Sequence, residues 1–306
     1  MKNHPFLRSL VCLFPGVSIL WVAGLFFRDQ FFLSRVFYCI PALLACMAAC
    51  LWLFLRRRRL SAGMILFWVC LGLVSLGKML LIDFAWNSAI DPAGPRIRLV
   101  HWNCAHAPFG LERVISTLSR FDADVVLLSE PPGENDFHYL AETLLPQADT
   151  LYAERMGLIT RIPKISENGI PMRGGRAWQV RLNLEDRELR LIAVDVRANP
   201  LANRAIPLAD LGRWIDSATC ESPTMIIGDF NTPRDSVCFR SLRKTFSHAY
   251  EKRGSGWPYT WPFPIPFVAL DHAWYDRSVD LLNYRLETSW WSDHRLQVVD
   301  FRVEQL

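Results

Sequence analysis

The hydrophobic rhythm of the chain changes near residue 90. Before that point apolar residues form unbroken runs at 10–27, 36–55 and 64–82, of 18, 20 and 19 residues. A helix rises ~1.5 Å per residue, so each run is long enough to cross a hydrocarbon layer of roughly 30 Å. The first two runs carry no charge. The third carries only Lys78, near its end, where a long stem lets the amine reach the headgroups. Pro15 and Pro41 would break soluble helices but are tolerated in lipid, and Ala45 and Ala49, one turn apart, let helices approach closely. The pattern predicts three transmembrane helices within an anchor over residues 1–86.

A short Pro/Gly linker, 87–96, leads to a different rhythm. Residues 97–102 read as a strand, and 111–120 as a helix with Leu111, Val114, Ile115 and Leu118 on one face. Residues 125–128 form a short apolar strand that ends at Ser129-Glu130. Val180, Leu182 and Leu184, then Leu189, Leu191 and Ala193, alternate with polar residues around a turn at Glu185-Asp186-Arg187. A helix follows at 205–218, and further strands at 224–227, 270–275 and 296–303. Strand pairs mixed with helices predict one α/β domain over 97–306, a sandwich of two sheets.

Composition matters mainly through its uneven distribution. The chain is 51% apolar and 21% charged, which excludes a disordered protein, and its net charge is +4. Residues 1–90 hold nine Lys and Arg against Asp29 and Asp83, giving +7, so residues 91–306 carry −3. The basic excess therefore marks the anchor and is no signature of nucleic-acid binding. Lys2, Arg8 and Arg56 to Arg59 lie on one side of an odd number of spans, against Arg28 and Arg35 on the other. The positive-inside rule makes the richer side cytoplasmic. The expectation is a multi-pass inner-membrane protein with a cytoplasmic N-terminus and an extracytoplasmic domain, periplasmic in a Gram-negative cell. Five of the eight cysteines lie in or beside the spans. Cys104, Cys220 and Cys238 show no metal-binding spacing and allow at most one disulfide.

Chemistry gathers where strands end. Asn103 follows the first strand, Glu130 the second, and Asp229 and Asn231 the strand at 224–227. Asp271 opens another strand, and Asp293-His294 precedes the last. Singly, each has an ordinary explanation: a turn at Asp229-Phe230-Asn231, a helix cap at Asp293, a loop acid at Glu130. Together they place carboxylates and amides along one sheet rim, where they repel unless a hard cation joins them. Oxygen donors with one histidine suit Mg²⁺ or Mn²⁺ better than zinc.

These residues carry a resemblance to the endonuclease/exonuclease/phosphatase superfamily, the metal-dependent phosphoesterases related to DNase I and neutral sphingomyelinases. It spans about residues 96–306. It rests on Leu99-Val100-His101-Trp102-Asn103, Asp124 to Glu130, Gly157-Leu158-Ile159-Thr160-Arg161, Gly228-Asp229-Phe230-Asn231, Leu270-Asp271-His272 and Ser292-Asp293-His294. The resemblance implies a four-layer αββα sandwich (DNase I-like) behind the three transmembrane helices, as in membrane-anchored bacterial members. It also implies residue roles. Glu130 would ligate the divalent cation, Mg²⁺ or Mn²⁺, with Asn103 and Asp293 close by. Asp229 would take the proton of the attacking water, which Asn231 orients. His294, supported by Asp271, would stay protonated and contact a phosphate oxygen.

One position departs from the family pattern. Where many relatives carry a phosphate-contacting histidine, this chain has Asp195. A carboxylate there repels phosphate unless a cation, such as Arg197 or Arg204, pairs with it. Arg173, Arg176, Arg197 and Arg204 read as solvated faces, His101, His106, His138 and His272 as structural or surface residues, and Trp290-Trp291 as core. The loop Trp257 to Pro262 resembles a family loop beside the site and reads equally as a core-packing aromatic loop. The expected function is a membrane-anchored, divalent-metal-dependent phosphoesterase acting on a phosphodiester, either nucleic acid or a lipid or envelope headgroup. Its partners are the bilayer, through three spans, and that substrate; no pattern requires a protein partner. The alternative is a catalytically silent, tethered scaffold that keeps the fold, which six retained site residues argue against.

Overall fold

The computed structural model describes residues 5–87, 94–153, 155–184, 187–199, 202–217 and 222–303, with 5–12 described as backbone. Most of the linker at 87–96, the turn residues Glu185 and Asp186, the end of the helix at 205–218 and Cys220 lie outside them. The chain divides into two compact units, Met1–Ala85 and Trp86–Leu306.

The first unit contains helices α1 (Pro5–Phe27), α2 (Phe32–Tyr38), α3 (Ala42–Arg56) and α4 (Ala62–Gly77), the last running on as a π-helical turn, Lys78–Asp83. The run at 36–55 is not one helix. Pro41 has no N–H to donate and disfavours helical geometry in the residue before it, so the chain breaks between Tyr38 and Ala42. The 15 residues of α3 then span only about 22 Å. Among the described residues, three full-length transmembrane helices are therefore not shown. Ala62–Asp83, 22 residues, is by itself long and apolar enough to cross a membrane. Leu13–Phe27, the part of α1 described with side chains, passes the same measure together with Phe32–Tyr38, across a bend of 117°. Small residues do set the packing: Ala45 and Ala49 are fully buried with Trp21, Trp68 and Leu71. Gly24 lets α1 touch α2, since a Cβ there would lie 2.5 Å from the Phe37 backbone. Lys78 does not stand alone, because its amine contacts both Asp83 oxygens at 2.8 Å.

In the second unit, β1 (Ile97–Asn103), α5 (Leu111–Leu118), β2 (Val125–Ser129), α6 (Glu134–Leu144), β3 (Asp149–Ala153) and β4 (Met156–Thr160) come first. There follow β5 (Lys164–Ile170), β6 (Gly175–Asn183), β7 (Glu188–Val196), α7 (Ala205–Ser217) and β8 (Thr224–Asp229). The chain ends with α8 (Leu242–Thr245), β9 (Ser247–His248), α9 (Ala249–Arg253), β10 (Asp271–Tyr275), β11 (Val279–Glu287) and β12 (Leu296–Val303). They form two six-stranded sheets, ordered β11-β12-β1-β2-β4-β3 and β5-β6-β7-β8-β10-β9. Each sheet has one parallel pair, β1–β2 and β7–β8, and each pair is joined through a helix, as parallel neighbours require.

Alternation along the strands builds the layers. Val100 and Trp102 of β1, with Val126 and Leu128 of β2, pack beneath Val114 and Leu118 of α5 and Phe137 of α6. Ile192, Val194 and Ile226 pack beneath Leu208, Leu211 and Ile215 of α7. The opposite faces, with Leu99, Leu127, Leu191, Met225 and Ile227, are buried where β1 and β2 lie against β8. The result is the expected four-layer αββα sandwich. Gly228 is essential to its centre. Its φ is +155°, and a Cβ would come within 1.9 Å of the Val194 carbonyl oxygen on β7. Gly228→Ala should therefore force β7 and β8 apart and cost about 1–3 kcal/mol, the usual range for overpacking. The expected result is a lower midpoint of thermal unfolding, followed by near-ultraviolet circular dichroism of the full chain.

Candidate functional site

The two parallel pairs end at one edge of the sandwich, and the polar residues gather there. Asn103 is the last residue of β1, Glu130 follows β2, Asp195 is next to last in β7, and Asp229 ends β8. Asp271 opens antiparallel β10 directly opposite Asp229 in the ladder. Clefts beyond the carboxyl ends of parallel strands are where open α/β sheets commonly bind ligands. The loop carrying Asp293 and His294 is pinned to β1: Ser292 Oγ donates to the Asn103 carbonyl at 2.7 Å and accepts from the His294 N–H at 3.0 Å. Trp102 Nε1 donates to the His294 carbonyl at 3.1 Å. The serine of Ser292-Asp293-His294 is thus a clamp that fixes the histidine.

Asp229 is held by amides. Asn103 Nδ2 donates to its Oδ2 at 3.0 Å, and the Asn231 N–H donates to its Oδ1 at 2.8 Å. Asn231 Nδ2 reaches both Asp229 Oδ2, at 3.1 Å, and the Val196 carbonyl, at 2.8 Å. His294 Nδ1 lies 2.8 Å from Asp271 Oδ2, as the resemblance implies. Thr260 Oγ1 accepts from the N–H groups of Leu270 and Asp271, fixing the start of β10. Behind Asp271, His101 is wedged between Gln297 Nε2 at 2.8 Å and Ser129 Oγ at 3.0 Å. Burial lowers the His101 pKa to about 4, so it is a neutral structural residue.

Electrostatics separates these groups into an acid and a base. Burial opposes charge on His294, yet Asp271, with Asp229 and Asp293, more than offsets it and raises the imidazole to about 10. Asp271 is also buried, but the charge and hydrogen bond of His294 hold its carboxyl below the usual range. Asp229 goes the other way. Burial and the nearby Asp271 and Asp195 charges raise it to about 8, against the pull of His294. Two carboxylates facing each other across one ladder have been pushed apart, the usual sign of distinct acid–base assignments.

Glu130 and Asp293 stand at the rim, outside this cluster. Glu130 is ion-paired to Arg155, and His106 Nε2 lies 3.8 Å from its other oxygen. Asp293 Oδ2 accepts from Trp261 Nε1 at 2.8 Å, which places the loop from Trp257 to Pro262 beside the site. Asp195 pairs with neither Arg197 nor Arg204. Its partner is Arg155, with Nε 3.1 Å from Oδ2. Glu130 and Asn231 are held at φ +47° and +45°; asparagine tolerates this region, whereas at Glu130 it costs roughly 1–2 kcal/mol. Backbone bonds compensate at Glu130: its N–H donates to the Arg155 carbonyl, and its own carbonyl accepts from His106.

Among the described residues, Asp229, Asp271 and His294 offer ligand atoms that all lie within 4.8 Å of one another. His294 is held protonated, so it donates and does not ligate. The remaining donors are oxygens of Asp229, Asn103, Glu130 and Asp293, and burial with the neighbouring carboxylates outweighs His294 in disfavouring the charge on Asp229. Such a donor set fits a hard divalent cation.

Several site residues carried no sequence signal. Arg155 sits in a turn and belongs to no motif, and Thr260 and Ser292 act through a hydroxyl. The readings of His272 as structural and Arg173 as a surface residue hold. His272 Nε2 faces the Thr232 carbonyl at 2.8 Å on the far side of β10, and Arg173 pairs with Asp210. Arg204, by contrast, is buried and donates to the Arg197 carbonyl. The core reading of Trp290 is overturned: it is 69% exposed, edge-on to Phe263.

Comparisons with known proteins agree with this geometry. No curated protein matches the sequence. Solved structures do. An endonuclease/exonuclease/phosphatase from Bacteroides vulgatus matches with a TM-score of 0.58 and 19% identity, over 69% of this chain and 100% of that one. The human Nocturnin catalytic domain with bound sulfate matches at 0.56 and 17%, over 71% and 97%. Danio rerio TDP2 complexed with a single-strand DNA product matches at 0.56 and 16%, over 69% and 100%. At these identities the likeness is one of fold. The profile of the Endonuclease/Exonuclease/phosphatase family matches residues 100–294, from the middle of β1 to the site histidine, and the chain belongs to that family.

Proposed function

We propose that this protein is a membrane-anchored, divalent-metal-dependent phosphoesterase that hydrolyses a phosphodiester outside the cytoplasm. The observation that carries the reading is the Asp229–Asp271–His294 cluster, in which a carboxylate of raised pKa stands beside a protonated imidazole. Asp229, aimed by Asn103 and Asn231, accepts the proton of the attacking water. His294 keeps its Nδ1–H on Asp271, and its Nε2–H donates to a phosphate oxygen, where negative charge builds up in the transition state. The residues suited to a Mg²⁺ or Mn²⁺ ion are Glu130, Asn103 and Asp293. When bound, it supplies Lewis-acid stabilisation of the phosphate oxygens. The sulfate in the Nocturnin structure and the DNA product in the TDP2 structure support an oxyanion as the group recognised.

Anchoring rests on the apolar segment Ala62–Asp83, which among the described residues is by itself long and apolar enough to cross a membrane. With the N-terminus and the Arg56–Arg59 cluster on the cytoplasmic side, the second unit lies across the membrane.

Hydrolysis of a generic phosphodiester by the detergent-solubilised full chain should be abolished by EDTA and restored by Mg²⁺ or Mn²⁺. Asp229→Asn and His294→Ala should each lower kcat by roughly 10²–10⁴, the contribution of a positioned acid or base. Activity that survives EDTA, or either variant, would contradict the mechanism.

The pH profile follows from the same shifts. Asp229 has a raised pKa, so its basic form appears as pH rises, with a midpoint at or below about 8 because a bound cation favours the anion. His294 is raised to about 10, so its proton is lost, and activity falls, only as pH rises through that value. Asp271→Asn should move this descending limb to lower pH, read from kcat against pH.

A reporter active only outside the cytoplasm, fused after Leu306, should be active; a silent fusion with a functional cytoplasmic reporter would reverse the orientation.

A further inference from the structure

Asp195 is the residue the family pattern does not explain. It lies opposite Asp229 in the parallel β7–β8 ladder and is buried. Burial and the Glu130 charge act against its ionised form, and Arg155 opposes them. A third carboxylate at this edge repels an anionic substrate unless a cation is fixed to it. Arg155, just before β4, supplies one. Its Nε lies 3.1 Å from Asp195 Oδ2, while Nη2 engages Glu130 Oε1. The two acids come from different sheets, so the guanidinium bridges the sandwich at the mouth of the site.

A structural tie would be expected to be buried. The Arg155 side chain instead keeps 34% of its surface exposed, against 4% for Asp195 and 21% for Glu130. A guanidinium carries five N–H donors in a planar fork and stays charged at any physiological pH. Nη2 donates to Glu130, and Nε stands at ion-pair distance from Asp195 without forming a hydrogen bond, on a guanidinium that stays partly exposed. Asp195 is a second ion-pair partner of Arg155, from a different sheet than Glu130.

We propose that Arg155 grips the phosphate group of the substrate and that Asp195 is its positioning residue, the pair replacing the single phosphate-contacting ring of relatives. This rests on the phosphoesterase reading for its substrate, but the binding of phosphate can be measured without turnover. Arg155 then adds a second fixed cationic donor to His294, on the opposite side of Asp229. Binding specificity thus shifts toward a tetrahedral oxyanion met by a planar fork, which a lysine cannot reproduce.

The test is calorimetric titration of inorganic phosphate into the full chain, with Mg²⁺ present and again in EDTA. Wild type is compared with Arg155→Ala, Arg155→Lys and Asp195→Asn. Charge-assisted hydrogen bonds of this kind contribute roughly 1.5–3 kcal/mol, so Arg155→Ala should weaken phosphate binding about tenfold or more. Arg155→Lys should recover only part of the loss. Asp195→Asn should weaken binding in the same direction and raise KM more than it lowers kcat, which a purely structural role would not do. Melting temperatures show whether each variant folds; if Arg155→Ala does not, Arg155→Lys decides. Phosphate binding by a folded Arg155 variant within twofold of wild type would overturn the proposal, even with hydrolysis intact. Loss of hydrolysis in every protein, with phosphate binding still dependent on Arg155, would instead overturn the phosphoesterase reading and leave this one standing.

Discussion

Two buried carboxylates facing each other across one ladder are the constraint around which the second unit is organised. Asp229 and Asp271 are register partners on β8 and β10, so the backbone forces their charges together at low dielectric. Such a pair cannot both ionise unaided. The protein settles the conflict unequally: Asp271 receives His294 and remains an anion, and Asp229 receives amide donors and is left needing a cation. The raised carboxyl of Asp229 and the protonated imidazole of His294 both follow from that one asymmetry. The histidine loop, the Ser292 clamp and Thr260 serve to keep His294 on Asp271.

Rigid strands make this arrangement durable, and strained loops finish it. Side chains on the inner faces of β1, β7 and β8 have their directions set by the pleat, and their neighbours are packed on both sides. Glu130 and Asn231 leave their strands in the left-handed region, which turns each side chain toward the cleft. Ala105, His106 and Ala107 do the same in succession after β1, at φ between 47° and 60°, and bring His106 up to Glu130. Strain of this kind collects at functional edges because the surrounding sheet over-determines the backbone there.

The N-terminal unit follows a different physics. Its helices carry almost no polar side chains, so their contacts rely on small residues and close approach. Gly24 and the Ala45–Ala49 face permit that approach, Ser18 Oγ donates to the Ala45 carbonyl at 3.1 Å, and Lys78 is neutralised by Asp83. Hydrophobicity alone sees one run at 36–55. Backbone chemistry sees two helices, because a proline at position 41 withholds a donor whatever its surroundings.

Much of this protein was legible in its sequence. The strands that carry Asn103, Glu130, Asp229 and Asp271 announce themselves as short apolar runs that end in polar residues. A buried strand must be apolar, and a functional rim must not be. The two-sheet α/β sandwich follows from the pattern of strands and helices, its four-layer order from the family resemblance, and the split between a basic N-terminal segment and an acidic domain from counting charges. What the sequence could not contain was the pairing of residues distant in the chain. Arg155 lies 40 positions from Asp195 and belongs to no motif, so only the approach of the two sheets shows that they meet. The edge strands β3, β5, β9 and β11 were not read, because partly exposed strands mix polar and apolar residues and lose the signal. Exposure was likewise decided by tertiary structure, with Trp290 on the surface and Trp102 in the core. Local pattern fixes which residues can be buried, and packing alone decides which of them are.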